Sequence, residues 1–253
     1  MSSTSRMISP AELDHLMHRA WPGLSNVPID GWIARLGGGI TQRANSVLPI
    51  ESPRDLKVAL EQVETLYREH GLVPTFQISP ATQPANLDDL LAARGYESRS
   101  PTLVLVAGVD AVLRTLLPTP LNVMIADNPD EEWVDLWWSV DGRGGYQAQD
   151  IAHRILSQCP ALYASIRDSM DIVATGRLAL FDGWGGIYCM AVRENVRRRG
   201  YAQAVLRALL KEAVARQVGH VWLQVVENNH GARALYERAG FAPASRYHYR
   251  AQQ

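Results

Sequence analysis

The chain of 253 residues sets 25 Lys and Arg against 26 Asp and Glu, and 47% of it is hydrophobic. That balance excludes a strongly basic nucleic-acid binder or a polyacidic tail, and the length suits one large domain or two small ones. Two cysteines, Cys159 and Cys189, exclude a disulfide scaffold, and no CxxC or Cys/His cluster offers zinc ligands. Residues 1–9 lack the apolar stretch of a secretory signal. No run approaches the ~18 apolar residues of a membrane helix. The expectation is a cytoplasmic protein that binds no nucleic acid, membrane or metal.

In the first half, His15 and His18 fall on a helix beside Asp14, where a surface face fits them better than a metal site with no third ligand. A strand over 40–48 runs into Pro49-Ile50-Glu51-Ser52-Pro53, with no glycine and no basic run. An amphipathic helix over 60–71 ends in glycine and precedes the strand Thr75-Phe76-Gln77-Ile78. A further helix closes on Gly95-Tyr96, and the apolar run 103–109 reads as a strand. Leu116-Leu117-Pro118-Thr119-Pro120 reads as a linker.

The second half opens with a strand over 122–126, and Asn128-Pro129-Asp130 starts a helix over 131–140. Asp141-Gly142-Arg143-Gly144-Gly145 breaks it, and a weaker helix follows over 148–157. Strands are expected over 161–167, 172–181 and 186–192, with an Asp182-Gly183 hairpin turn between the last two. Ala202, Val205, Leu206, Leu209 and Ala213 then recur at helical spacing until Gly219. A strand over 221–226, a helix over 229–239 with Gly240 at its end, and a strand over 246–250 complete the chain. The class is α/β, built on a mixed, partly antiparallel sheet flanked by helices.

A helix–strand–helix–Gly–aromatic order occurs twice: Gln224 lies 147 residues after Gln77, and Gly240 lies 145 after Gly95. Duplication into two similar domains, 1–118 and 119–253, accounts for this; chance agreement of two helix ends is the alternative. The halves differ at Arg197-Arg198-Arg199-Gly200-Tyr201-Ala202, which enters the N-terminus of a long helix. Unpartnered first-turn N–H groups, the helix dipole and three guanidinium groups suit a diphosphate there. Gly200 lets the backbone approach closely. A solvated basic loop is the competing reading. No GxxxxGK[ST] and no GxGxxG after a strand is present, so neither a P-loop nor a dinucleotide fold is supported.

Val192 with Arg197-x-x-Gly200-x-Ala202 resembles the acetyl-CoA signature of the GNAT N-acetyltransferases. Val225-x-x-x-Asn229-x-x-Ala232-x-x-Leu235-Tyr236-x-x-x-Gly240-Phe241 resembles the second conserved segment of that family. The resemblance covers the second half well and the first only loosely, as in tandem GNAT proteins with one degenerate domain. It implies acetyl-CoA as co-substrate, with main chain at Met190, Ala191 and Val192 along the pantetheine arm. It further implies amides of Arg197, Arg198, Arg199, Gly200, Tyr201 and Ala202 on the pyrophosphate, Asn229 on the arm, and Tyr236 as acid for the departing thiolate. Packing within an apolar stripe also explains Tyr236.

Glu227, directly after a strand, is the best-placed base in sequence; Glu194, Asp141, a water chain, or simple solvation of Glu227 are alternatives. Cys189 offers a covalent route, against the family's usual direct transfer. Trp138 and Tyr146, in a cluster with Trp133 and Trp137, fall where that family shapes the acceptor site, though core packing explains the tryptophans too. The expected acceptor is a small-molecule primary amine, the expected assembly a monomer or homodimer. An acetyl-CoA sensor without turnover, or a transferase acting on a protein amine, are the rivals.

Overall fold

A computed structural model describes residues 8–142, 144–168, 171–181 and 183–253. Arg143, Asp182 and residues 1–7, on which the expectations for two turns and the N-terminal segment partly fall, lie outside the described residues. In chain order the elements are α1 (Pro10–Ala20), β1 (Ser25–Ile29), β2 (Trp32–Leu36), β3 (Val47–Pro49), α2 (Leu56–Glu69), β4 (Thr75–Ile78), α3 (Leu87–Ala93), β5 (Glu97–Gly108) and α4 (Val109–Thr115). There follow β6 (Met124–Ala126), α5 (Glu131–Asp141), α6 (Tyr146–Leu156), β7 (Ala161–Asp168), β8 (Asp171–Phe181), β9 (Trp184–Val192), a 3-10 turn (Glu194–Val196), α7 (Tyr201–Ala215), β10 (His220–Val226), α8 (His230–Arg238) and β11 (Ala242–Ala251). The chain is α/β, with a large mixed, partly antiparallel sheet flanked by helices.

Two compact units emerge: one holds the residues up to Leu103 together with Ala244–Gln253, the other Val104–Pro243. The Leu116–Pro120 segment therefore lies inside the second unit. Strands β1, β2, β3, β4 and β11 lie side by side in the first unit, and β10, β9, β8, β7 and β6 in the second. The C-terminal strand pairs antiparallel with β4, from His248↔Ile78 to Ala251↔Thr75.

The two Gly–aromatic helix ends share one geometry. Gly95 and Gly240 take left-handed φ values of 86° and 95°. The amides of Tyr96 and Phe241 each reach back 3.0 Å to a carbonyl five residues earlier, at Leu91 and Tyr236. Only glycine adopts that backbone without strain.

Two local expectations fail. Of the strand expected over 40–48, only Val47–Pro49 forms. Asn45 explains why: its side chain takes the amides of Gly37 and Gly39 (both 2.8 Å) and donates to the Thr41 carbonyl (2.7 Å), so side-chain bonds replace a ladder. The helix expected to stop at Gly219 ends at Ala215, and the left-handed residue after it is Gln217, with φ 59°. The hairpin β1–β2, turned at Asp30-Gly31, has no counterpart in the sequence reading.

The first unit packs around Trp32, Phe76 and Tyr96, whose rings meet edge to face. Beneath them Arg35 is fully buried and donates to the Ser46 carbonyl (2.8 Å) and to Gln77 Oε1 (2.9 Å). His18, expected on a surface face, is half-buried instead, one helical turn from buried Asp14. Burial raises the Asp14 carboxyl to about 6, against the pull of the Ser79 hydrogen bond and of Arg35. Burial, aided by Arg35 and His15, lowers His18 to about 4.

The two shifts oppose each other in stability. The raised Asp14 contributes stability that is full below pH 3.8 and lost as pH rises to about 6. The lowered His18 contributes stability that is full above pH 6.5 and lost as pH falls to about 4. Their windows overlap, so the wild type is expected to vary little there. In Asp14→Asn stability should rise by about 2 kcal/mol between pH 4 and 6.5, and in His18→Gln it should fall by a similar amount from pH 4 to 6. Urea melts at several pH values read this directly; equal pH slopes in all three proteins would refute it.

Candidate active site

The second unit opens where two parallel strands part. β9 and β10 pair from Trp184↔His220 to Ile187↔Leu223 and no further, although β9 continues to Val192 and β10 to Val226. On its other side β9 carries a bulge. Thr175 pairs with Ala191 and Arg177 with Tyr188, which leaves Cys189 and Met190 opposite Gly176 alone. Cys189 stands at φ 53°, unusual for a residue with a Cβ, and Thr175 Oγ1 donates to its carbonyl at 3.2 Å. A Cβ on Gly176 would lie 2.5 Å from Val205 Cγ1 of α7 and 2.7 Å from Met190 Sδ. A lone glycine within strand 172–181 was the one sequence signal for this bulge.

From the end of β9 the chain is tied down before it reaches α7. The Arg193 amide and Nε donate to the carbonyls of Val173 (2.9 Å) and Ile172 (2.8 Å), and Val196 is buried. Arg197 Nε donates to the Val192 carbonyl at 3.2 Å, while the side chains of Arg197, Arg198 and Arg199 reach solvent. Arg198 is left-handed at φ 69°, and Gly200, the N-cap of α7, at φ 82°. No side chain caps α7, and nothing stands within 4 Å of where a Gly200 Cβ would be. Open first-turn amides, a positive helix end and three exposed guanidinium groups fit the pyrophosphate of a coenzyme A ester. In the first unit α2 lacks such an opening: the Asp55 carboxylate caps it, accepting the Val58 amide at 3.1 Å.

On the other lip of the cleft, β10 passes through Glu227 to Asn229, the N-cap of α8. Asn229 Oδ1 accepts the Ala232 amide at 3.1 Å, a local role that the sequence reading did not assign to it. Glu227 is half-buried. Tyr236 is the one buried residue of α8, and its ring meets Phe241 edge to face at 5.7 Å. Its hydroxyl makes no hydrogen bond among the described residues, and burial pushes it up to about 12.

The other candidates are spread out. Glu194 lies in the 3-10 turn, its side chain 90% exposed and 3.9 Å from Arg197. Asp141 is the exposed last residue of α5. Trp133 and Trp137 are core residues, and Trp133 Nε1 donates to the Ala164 carbonyl at 2.8 Å. Trp138 folds over Gly142 and donates to the Gly144 carbonyl at 3.2 Å, closing the end of its own helix. Tyr146, the first residue of α6, is 84% exposed. A cavity of about 400 Å³ lies beside Asp127, Cys159, Leu180 and Arg216, at the far end of α7 from the arginine loop. Among the described residues no His, Cys, Asp and Glu gather as a metal-binding group, and no helix is long and apolar enough to cross a membrane.

Residues 10–250 match the family described as probable histone acetyltransferase Rv0428c, C-terminal. The chain belongs to that family. It is an acyltransferase of the GNAT superfamily, and acetyl-CoA-dependent acyl transfer is its chemistry in general. It is 29% identical over 242 residues to the uncharacterized N-acetyltransferase YobR of Bacillus subtilis, covering 94% of this chain and 97% of that one. Its fold is shared by a GCN5-related N-acetyltransferase from Kribbella flavida (TM-score 0.68, 16% identity, 99% of this chain and 96% of that one). A tandem GNAT protein from the clavulanic acid biosynthesis pathway is also similar in fold (TM-score 0.60, 15% identity, 77% and 68% covered).

Proposed function

We propose that the second unit transfers the acetyl group of acetyl-CoA to the primary amine of a small molecule by direct attack. The observation that carries this reading is the uncapped N-terminus of α7, with Gly200 beside three exposed arginines at the mouth where β9 and β10 part. Amides of Arg197 to Ala202 hold the pyrophosphate, main chain at Met190, Ala191 and Val192 lies along the pantetheine arm, and Asn229 meets that arm near its end. The coenzyme supplies the activated thioester. Tyr236 delivers a proton to the leaving sulfur, and Glu227, on the facing lip, takes one from the amine. Alignment of the two substrates in the cleft supplies much of the rate. Trp138 and Tyr146 border the acceptor.

The near balance of 25 basic and 26 acidic residues provides no acidic field to gather a lysine-rich tail, which supports a small amine. The description of the matched family favours a second reading, a protein lysine as acceptor. Thiol release from acetyl-CoA over a panel of amino acids, polyamines and lysine-rich peptides separates the two; release with none of them leaves the acetyl-CoA sensor.

The first unit is a degenerate copy that binds no coenzyme, because the Asp55 carboxylate occupies the place a phosphate would need. Calorimetric titration with acetyl-CoA is expected to give one site per chain. Two equivalent sites would show that the Asp55 cap opens. The protein works as a monomer or homodimer in the cytoplasm.

A further inference from the structure

We propose that Arg233 is a positioning residue for acyl transfer: from α8 its guanidinium fixes the turn that carries Glu227 and Asn229. The inference rests on the transferase reading of the second unit. Arg233 Nη1 donates to the Glu227 carbonyl at 3.2 Å, and Nη2 stands 3.7 Å from Glu237 Oε1, one turn along the same helix. The fork is thus anchored at both ends, to the strand exit and to the helix. The side chain is only 33% exposed, and its Nε is buried with no hydrogen-bond partner. A buried donor is seldom left open, so the side chain is held for its two Nη contacts at the expense of the third.

Further hydrogen bonds tie the turn, among them the His230 amide to the Asn228 carbonyl at 3.0 Å. The Asn229 amide donates to the Val226 carbonyl at 2.9 Å, and Asn229 Oδ1 accepts the Ala232 amide. Both fix Asn229, whereas Arg233 is the side chain that holds the main chain at Glu227. Glu227 is thereby given one backbone orientation on the lip of the cleft. Neither signature segment includes Arg233; it occupies a position left open between Ala232 and Leu235. Lysine replaces it poorly, because one ammonium nitrogen cannot span the two positions that Nη1 and Nη2 address separately.

The test compares Arg233→Lys and Arg233→Met with the wild type, using the amine of the panel that the wild type acetylates fastest. Both variants are expected to lower kcat roughly ten- to hundredfold, as small misplacements of reacting groups do. Their affinity for acetyl-CoA, measured by calorimetry, should stay within about twofold, since the arginine loop is untouched. A general loss of stability would instead reduce the active fraction without changing the pH profile. A positioning role lowers kcat per folded molecule and changes the shape of the pH–rate profile.

Double variants decide the route. Arg233→Met added to Glu227→Gln should lower kcat little beyond Glu227→Gln alone. If Glu227→Gln by itself is silent, the base assignment fails, and the positioning role then requires the same overlap with Asn229→Ala. Full additivity with both partners, or wild-type kcat in Arg233→Met, overturns the proposal. A wild type that acetylates no amine overturns it together with the transferase reading.

Discussion

Gly200→Asp is expected to weaken acetyl-CoA binding by about two orders of magnitude. The substitution sets a carboxylate at the head of α7, where α2 carries one in Asp55, which accepts a first-turn amide at 3.1 Å. A carboxylate at that point would take the amides offered to the pyrophosphate and set a negative charge against it. At separations near 5 Å and the effective dielectric of a protein surface, such repulsion amounts to about 3 kcal/mol, or a hundredfold in affinity. The left-handed backbone at φ 82° also costs a non-glycine residue about 1 kcal/mol of stability, though no atom within 4 Å obstructs the Cβ. Gly200→Asn separates these effects, because it has the same shape and capping oxygen without the charge. It should lose about tenfold at most. Calorimetry that finds Gly200→Asp binding as tightly as the wild type would remove the phosphate site from α7.

Tyr236→Phe is expected to lower kcat by about two orders of magnitude while leaving acetyl-CoA affinity nearly intact. The ring contact with Phe241 survives the change, and only the hydroxyl is lost. Because burial pushes that hydroxyl up to about 12, the phenol carries its proton at every pH of ordinary assay. Tyr236 therefore contributes no alkaline decline below pH 11, and the loss in the Phe variant should be uniform from pH 6 to 9. A leaving thiolate makes a hydroxyl without competing hydrogen bonds the natural donor. An unchanged kcat across that range would return Tyr236 to packing alone.

The candidate coenzyme loop is more legible in the sequence than the candidate acceptor residues, for a physical reason. Arg197 to Ala202 form one contiguous stretch of backbone, so their spacing in sequence nearly is their spacing in space. Trp138 and Tyr146 depend on how a helix end folds. Trp138 turns back over Gly142 and Tyr146 stands in solvent, and nothing in their spacing announced this. The contact of Arg233 is equally invisible in the sequence: its partner is a main-chain carbonyl six residues away, which leaves no compositional trace. Over 40–48, an expected strand gives way to one asparagine whose side-chain bonds to Gly37, Gly39 and Thr41 replace ladder pairing up to Val47.

By itself the sequence determined what local chemistry governs: the periodic faces of α2 and α7, the left-handed glycines before Tyr96 and Phe241, and the glycine at the head of α7. Each follows from sterics and hydrogen bonds within a few residues. Only the tertiary structure decided where β9 and β10 part, which residues bulge against Gly176, and that the final strand pairs with β4 in the first unit. Those outcomes join residues far apart in the chain, and pairing of that kind is settled by which faces pack together.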